Sequence, residues 1–303
     1  MWAINLNAGR NIVAGAFPAF QPKSKKRRSP LQGSIAQVGA MEVRLAATRK
    51  EIRKAQRLRF KVFFGEGGAV ADAKTKLTRR DADRFDKFCD HLIVIDHSTR
   101  NRFGKIKPKV VGAYRLLRSD VALEKNCGFY SADEYEVASL LERHPHKRFL
   151  ELGRSCVLAD YRGKRTIDLL WRGILAYIRH YDIDALIGCA SFEGANAFTH
   201  AAQLSFLAYH ARAEGEWQVR ARESRRTPME MLGREAVDER RALAALPPLI
   251  KGYLRIGARF GDGAVVDRKF NTVDVFVVMP VEKMDARYLE HFGGHAEKAR
   301  QAA

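Results

Sequence analysis

The chain has 303 residues, 46% of them hydrophobic and 29% charged, an ordinary globular composition with enough apolar material for a sizeable core. Lysine and arginine number 54 against 35 aspartates and glutamates, a net charge of +19, so the surface attracts polyanions such as nucleic acid, anionic lipid or an acidic carrier protein. Four scattered cysteines with no CxxC spacing read as reduced thiols in a cytoplasmic setting, and no apolar run reaches the roughly 18–20 residues of a membrane span.

Residues 1–40 read as a flexible basic tail, because the modest apolar stretch at 12–20 precedes its cations (Lys23, Lys25, Lys26, Arg27, Arg28), the reverse of a secretory signal. Alternation over 41–47 predicts a first strand. Thr48 and Glu51 have capping-box spacing, and Ile52, Ala55, Leu58 and Val62 continue as one helix face. That helix ends within 57–64; a glycine-rich loop at 65–71 and a charged stretch to residue 90 follow. Strands are predicted at 91–96 and 109–117, joined by a basic loop, and a helical passage at 132–142 leads to a strand at 149–158. Ile167, Leu170, Trp171, Ile174, Leu175 and Ile178 then recur at the spacing of one buried helix face. A strand at 185–190, a helix at 195–209, a charged helical insertion at about 210–245, a helix opened by Pro247-Pro248 and a strand at 272–281 complete the domain. Residues 293–303 read as a second flexible tail. Adjacent strands with a short loop predict antiparallel pairing and strand–helix–strand units predict crossovers, giving an α/β fold with a mixed central sheet flanked by helices.

Charged residues inside apolar segments mark where chemistry can sit, since burying them is costly unless they are paired or used. Glu151 and Arg154 lie within the apolar strand at 149–158, either as a structural ion pair or as working groups. Arg59 and Arg115 sit in RFKVFF and VVGAYRLL, and Asp83 and Asp86 flank Phe85 just before a strand. Arg162, Gly163, Lys164, Arg165 and Thr166 open the long helix, where backbone amides and the helix dipole attract anions. A carboxylate-bearing strand followed by a cationic helix start suits an enzyme that holds a phosphate-bearing carrier beside a reacting group, which points to acyl transfer. Ser155 lacks a G-x-S-x-G context, and no Walker A or G-x-G-x-x-G motif is present. No histidine pair has ligand spacing, so no catalytic metal is expected, and no zinc-finger or RNP pattern supports nucleic acid as a partner.

The order Arg59, Phe63, Asp83-Arg84-Phe85-Asp86, 112–117 with Arg115, and Glu151-Leu152-Gly153-Arg154 resembles that of the acyl-homoserine-lactone autoinducer synthases. The stretch RLRFKVFFGEGG (57–68) and the run LPPLIKGYLRIGARFGDGAVVDRKFNTVDVFVVMP (246–280) resemble more closely the L-ornithine N-alpha-acyltransferases of ornithine lipid synthesis. The likeness spans about 41–292. It departs in two places: no tryptophan follows the Arg59 helix as in the autoinducer synthases, and RGKRTI at 162–167 is not the Q/R-x-x-G-x-G/A loop of coenzyme A-dependent GNAT enzymes.

The resemblance implies a GNAT-like acyltransferase fold with no bound cofactor and a 3-hydroxyacyl group carried on the 4'-phosphopantetheine of acyl carrier protein. L-ornithine is the implied acceptor. Glu151 is then the expected proton acceptor, with Arg154, Asp83 and Asp86 completing the catalytic group. Arg59, Phe63, Arg115, Ser155 and Cys156 are the expected substrate-binding residues, with Asp83 and Asp86 holding the cationic acceptor and amides near Arg154 and Cys156 meeting the oxyanion. The turn from Arg162 to Thr166 is expected at the phosphopantetheine phosphate. Lys164 and Arg165 are expected to steer the carrier protein, and Arg220, Arg222, Arg225, Arg226 and the basic tail to touch anionic lipid at the inner face of the cytoplasmic membrane. An autoinducer synthase, or a non-catalytic basic membrane- or nucleic-acid-binding protein on the same scaffold, are the alternative expectations.

Overall fold

The computed structural model describes residues 29–290 and Phe292. The chain runs β1 (Ser34–Val38), β2 (Met41–Leu45), α1 (Arg49–Phe60), α2 (Ala73–Thr78), β3 (Asp90–Asp96), β4 (Lys109–Arg118), α3 (Ser119–Glu124) and α4 (Val137–Arg143). It continues through β5 (Phe149–Val157), α5 (Lys164–Tyr181), β6 (Ala185–Glu193), α6 (Ala201–His210), β7 (Arg226–Thr227), α7 (Glu239–Ala245), α8 (Pro248–Arg255), β8 (Arg259–Asp267) and β9 (Thr272–Pro280). The strands form one nine-stranded sheet in the order β1-β2-β3-β4-β5-β6-β9-β8-β7. The β5–β6 pair is parallel and the other neighbouring pairs are antiparallel.

Local chemistry sets these elements. The Thr48 hydroxyl accepts the Glu51 N–H at 3.2 Å, and the Glu51 carboxylate accepts the Ala47 N–H at 2.9 Å while pairing with Arg44, so the start of α1 is capped and tied to β2. The end of α1 widens into a single π-helical stretch, Lys61–Glu66. On α5 the buried stripe runs through Leu170, Ile174 and Ile178, and Ile167, expected on that face, is 44% exposed. The sheet's two faces are covered separately. Leu150, Leu152 and Leu186 join the core that includes α5 and α8, whereas Phe149, Ile187 and Val278 join the one that includes α3 and α4. Alternation along strands produces this division.

Three expectations are corrected. The tail boundary drawn at residue 40 moves, because Ser34–Val38 pairs with β2 as an edge strand; residues 1–28 and 293–303 lie outside the described residues. The segment 210–245 is not a helical insertion. Only Glu239–Ala245 is α-helix there, while Trp217, Val219 and Ala221 are buried at alternate positions and backbone bonds tie Val219 and Ala221 to Asp262. Arg220 and Arg226 pair with Asp262 and Arg225 pairs with Glu134, while Arg220, Arg222 and Arg225 stay exposed to solvent. Strand β8 is absent from the sequence reading because Gly261 and Gly263 interrupt its alternation; Gly263 has φ +89° and turns the strand beside Arg226.

The feature that positions the site is where the parallel pair ends. β5 and β6 are in register from Phe149 with Ala185 to Leu152 with Gly188, after which β5 stays on β4 and β6 stays on β9. A cleft opens between the diverging halves. β5 also bulges here: Gly153 faces Arg115 and Cys156 faces Ala113, so Arg154 and Ser155 stand against a single residue, and Arg154 takes the left-handed conformation at φ +52°. Gly188 sits at the divergence point with φ +155°, where a Cβ would lie 2.3 Å from the Leu152 carbonyl oxygen. Gly188→Ala is therefore expected to cost about 2–3 kcal/mol by forcing the strands apart; urea denaturation measures it, and a midpoint equal to that of the parent chain contradicts the tight crossing.

Candidate active site

Beneath the bulge lies a network of three arginines and three aspartates. Arg59, from α1 and 1% exposed, pairs through Nε with Asp81 at 2.8 Å and through both terminal nitrogens with Asp86 at 2.8 and 2.9 Å. Arg115 from β4 donates to both Asp83 oxygens at 2.6 and 2.7 Å. Arg154 from the bulge lies 3.2 Å from Asp81 and 3.3 Å from Asp83, with its guanidinium between the rings of Tyr130 (4.5 Å) and Phe270 (4.4 Å). Burial opposes ionisation of Asp86, but Arg59 outweighs it and holds the carboxyl at about 2. Asp83 is lowered likewise, burial again being overcome by Arg115. The Asp83–Asp86 segment is itself a capping box, with the Asp83 carboxylate accepting the Phe85 N–H and the Asp86 carboxylate accepting the Asp83 N–H.

Glu151 projects from β5 into the α3–α4 side of the sheet and is 5% exposed. Its carboxylate accepts the Tyr130 N–H at 2.8 Å, the Ser131 N–H at 2.9 Å and the Ser131 hydroxyl at 2.6 Å. Burial raises its pKa, with the Ser131 hydroxyl and the two amides working against the shift. Of about four lone-pair sites on a carboxylate, three are used, which leaves one acceptor position.

The cleft between β5 and β6 has a volume of about 400 Å³ and is lined by Phe63, Arg115, Tyr130, Glu151, Gly153, Arg154, Ser155, Arg162 and Phe270, and on the β6–β9 side by Cys189, Ser191, Thr272, Asp267 and Asp274. Ser191 of β6 pairs with Asp274 of β9 and Glu193 with Thr272, so alternate residues place their polar groups on the cleft face. Behind them stands Glu134, 3% exposed; carboxylate oxygens of Glu134, Asp267 and Asp274 lie within 4.8 Å of one another. Burial and then the Asp274 charge push Glu134 up to about 8 against Arg225, and burial pushes Asp274 up to about 6. Burial also drives the Cys189 thiol well above its ordinary value and Cys156 to about 12, so neither is a ready nucleophile.

The sequence-derived residues thus divide. Phe63, Arg115, Glu151, Arg154, Ser155 and Arg162 come together on the cleft. Asp83, Asp86 and Arg59 sit behind it; the two aspartates are engaged by internal arginines rather than held out to a cationic substrate. Cys156 points into the hydrophobic core, and Thr166 is 2% exposed with its methyl packed on Gly112. Arg162 pairs with Glu66 of the π-helical stretch, Gly163 occupies the N-cap of α5 without a side-chain cap, and Lys164 and Arg165 are exposed. Asp81, Glu134, Asp267, Phe270 and Asp274 were missed. Asp274, in TVDVFVV, carries the signal that singled out Glu151: a carboxylate within an apolar strand.

Residues 58–172 match the acetyltransferase (GNAT) domain family. The mixed sheet, its divergent parallel pair and this match define the chain as a GNAT-like acyltransferase. It is 48% identical over 264 residues to the L-ornithine N(alpha)-acyltransferase of Brucella abortus (strain 2308), covering 87% of this chain and 92% of the relative. It is 49% identical over 267 residues to the L-ornithine N(alpha)-acyltransferase of Agrobacterium fabrum, covering 88% and 90%. The chain belongs to the L-ornithine N(alpha)-acyltransferase family. Among solved structures, FeeM, an N-acyl amino acid synthase from uncultured soil microbes, aligns over 80% of this chain and 92% of its own with a TM-score of 0.44 and 11% identity.

The raised carboxyls give a signed pH dependence. The folded chain keeps the Glu134 proton to about pH 8, while the unfolded chain releases it near 4.5. In that window the folded state binds more protons, so its stability falls as pH rises. Without substrate, Glu134→Gln is expected to flatten this fall in Tm between about pH 4.5 and 8; a Tm–pH slope identical to the parent's contradicts the protonated Glu134.

Proposed function

We infer that the protein transfers a 3-hydroxy fatty acyl group from acyl carrier protein to the α-amine of L-ornithine, giving lyso-ornithine lipid. The observation that carries this reading is the family relationship at 48–49% identity over about nine-tenths of each relative. The cleft supplies the chemistry. The thioester carbonyl lies over the β5 bulge, where amides around Ser155 are free of the β6 ladder and stabilise the developing oxyanion. The substrate α-ammonium loses a proton to Glu151, directly or through water, using the remaining acceptor position. The neutral amine forms the new C–N bond, the C–S bond breaks, and the departing phosphopantetheine thiolate takes up the second proton, which the acylated nitrogen sheds. Arg154 faces the acceptor's carboxylate, while Asp83 and Asp86 hold Arg154 and Arg115 in place. With both buried thiols raised, direct attack needs no acyl-cysteine.

The donor enters along the start of α5. Arg162 on the cleft wall and the uncapped amides after Gly163 receive the phosphopantetheine phosphate, and exposed Lys164 and Arg165 meet the acidic carrier protein. No helix among the described residues is long and apolar enough to cross a membrane. The chain's net charge of +19 draws it to the anionic inner face of the cytoplasmic membrane, where the amphiphilic product leaves.

Purified protein incubated with 3-hydroxyacyl carrier protein and L-ornithine is expected to release thiol and form an ornithine amide detectable by mass spectrometry. Glu151→Gln is expected to lower kcat about a hundredfold or more. Thiol release only with another amine contradicts ornithine as acceptor, and full activity in Glu151→Gln removes it as base.

A further inference from the structure

We propose that Asp274, together with Asp267 and Glu134, forms a subsite for the side-chain ammonium of the acceptor amino acid and so selects a cationic acceptor. The proposal rests on the acyl-transfer reading above and deepens it. Asp274 is 6% exposed and lines the cleft; the Ser191 and Thr272 hydroxyls stand beside it, but among the described residues its Oδ1 has no hydrogen bond of good geometry. The Thr272 hydroxyl, two residues away on the same strand face, is also without one. Buried polar atoms are satisfied almost everywhere in folded proteins, and a carboxylate with about four lone-pair sites beside two hydroxyls keeps acceptor capacity for a ligand that supplies a further donor.

The surrounding charges define what that ligand must be. Asp267 Oδ1 accepts the Lys269 and Phe270 amides, Glu134 accepts Arg225 at 3.3 Å and the Cys189 thiol at 3.8 Å, and neither arrangement supplies a donor to Asp274 Oδ1. Oxygens of the three carboxylates lie within 4.8 Å of one another, a spacing that one ammonium with three N–H donors can bridge. Burial first, and neighbouring carboxylate charge second, hold the Glu134 and Asp274 protons to unusually high pH, and an arriving cation offsets the second of these. Arg154 stands on the opposite, β5 wall of the same cleft. An amino acid with its carboxylate toward Arg154 and its side-chain ammonium toward Asp274 presents its α-amine beside Glu151 and the bulge.

The test compares kcat/KM for L-ornithine and L-norvaline, which has the same carbon skeleton without the terminal amine, in the parent chain, Asp274→Asn and Asp267→Asn. The ornithine-to-norvaline ratio is expected to fall about tenfold or more in Asp274→Asn, as for the loss of one charge-assisted hydrogen bond. Partial misfolding lowers both rates together and leaves the ratio intact, so the readout is specific to recognition. An unchanged ratio in both variants overturns the subsite and leaves the acyl-transfer reading standing. If the parent chain acylates no ornithine, that reading fails instead, and calorimetric binding of the two amino acids to the parent and to Asp274→Asn then decides the subsite by the same ratio. Selectivity that disappears with EDTA and returns with Mg²⁺ assigns the cluster to a metal and overturns the ammonium.

Discussion

Arg59, 1% exposed under the sheet, carries a permanent charge whose burial is offset by its pairing with the Asp81 and Asp86 carboxylates. The same condition extends through Asp83 to Arg115 and Arg154, so three positive and three negative groups from α1, the 81–86 segment, β4 and β5 are interdependent. Removing any one carboxylate leaves three buried guanidinium groups facing two carboxylates, and breaking comparable buried pairs costs about 3–5 kcal/mol. That interdependence fixes the geometry that matters. Arg154 adopts a backbone conformation unfavourable to a non-glycine residue, and its side chain is anchored by two aspartates and two aromatic rings. The bulge is held open, and with it the gap between β5 and β6.

The cleft that results is electrostatically two-sided. Arg115, Arg154 and Arg162 lie along the wall from β4 and β5 into the start of α5, while Asp267 and Asp274, backed by Glu134, lie along the β6–β9 wall. The arginine-rich wall has its compensation built in, through Asp81, Asp83, Asp86 and Glu66. The acidic wall has only part of its own: Arg225 reaches Glu134, and among the described residues Asp274 has neutral hydroxyls of Ser191 and Thr272 beside it rather than a paired cation. A zwitterion with an additional cation complements this imbalance, whereas a neutral side chain leaves it unrelieved.

Much of this was legible from the chain. The cap at Thr48, the antiparallel β3–β4 pair, the crossover through α5 and the α/β class all follow from local pattern, and each is present. Glu151 and Arg154 stood out because charge in an apolar strand needs an explanation. What sequence could not give was partner choice. Asp83 and Asp86 look like free acidic groups in DADRFD, and only the fold brings Arg59 and Arg115 onto them. Likewise the segment 217–221 reads as part of a charged insertion until alternate burial of Trp217, Val219 and Ala221 lays it against β8, with Arg220 and Arg222 left on the solvent side. Strand β8 was hidden by its glycines, and Asp267 with it; Asp274 carried a signal of its own, but the face it shares with Asp267 exists only once β8 and β9 are paired.

The most direct measurement is a crystal structure of the chain with L-ornithine and a non-hydrolysable 3-hydroxyacyl-pantetheine analogue. The account predicts the analogue's carbonyl oxygen within hydrogen-bonding distance of an amide of the β5 bulge, with the α-amine beside Glu151 and the side-chain ammonium on Asp274. An amino acid seated against Asp83 and Asp86, with the Arg59 and Arg115 pairs opened, or an acyl chain outside the β5–β6 gap, contradicts it.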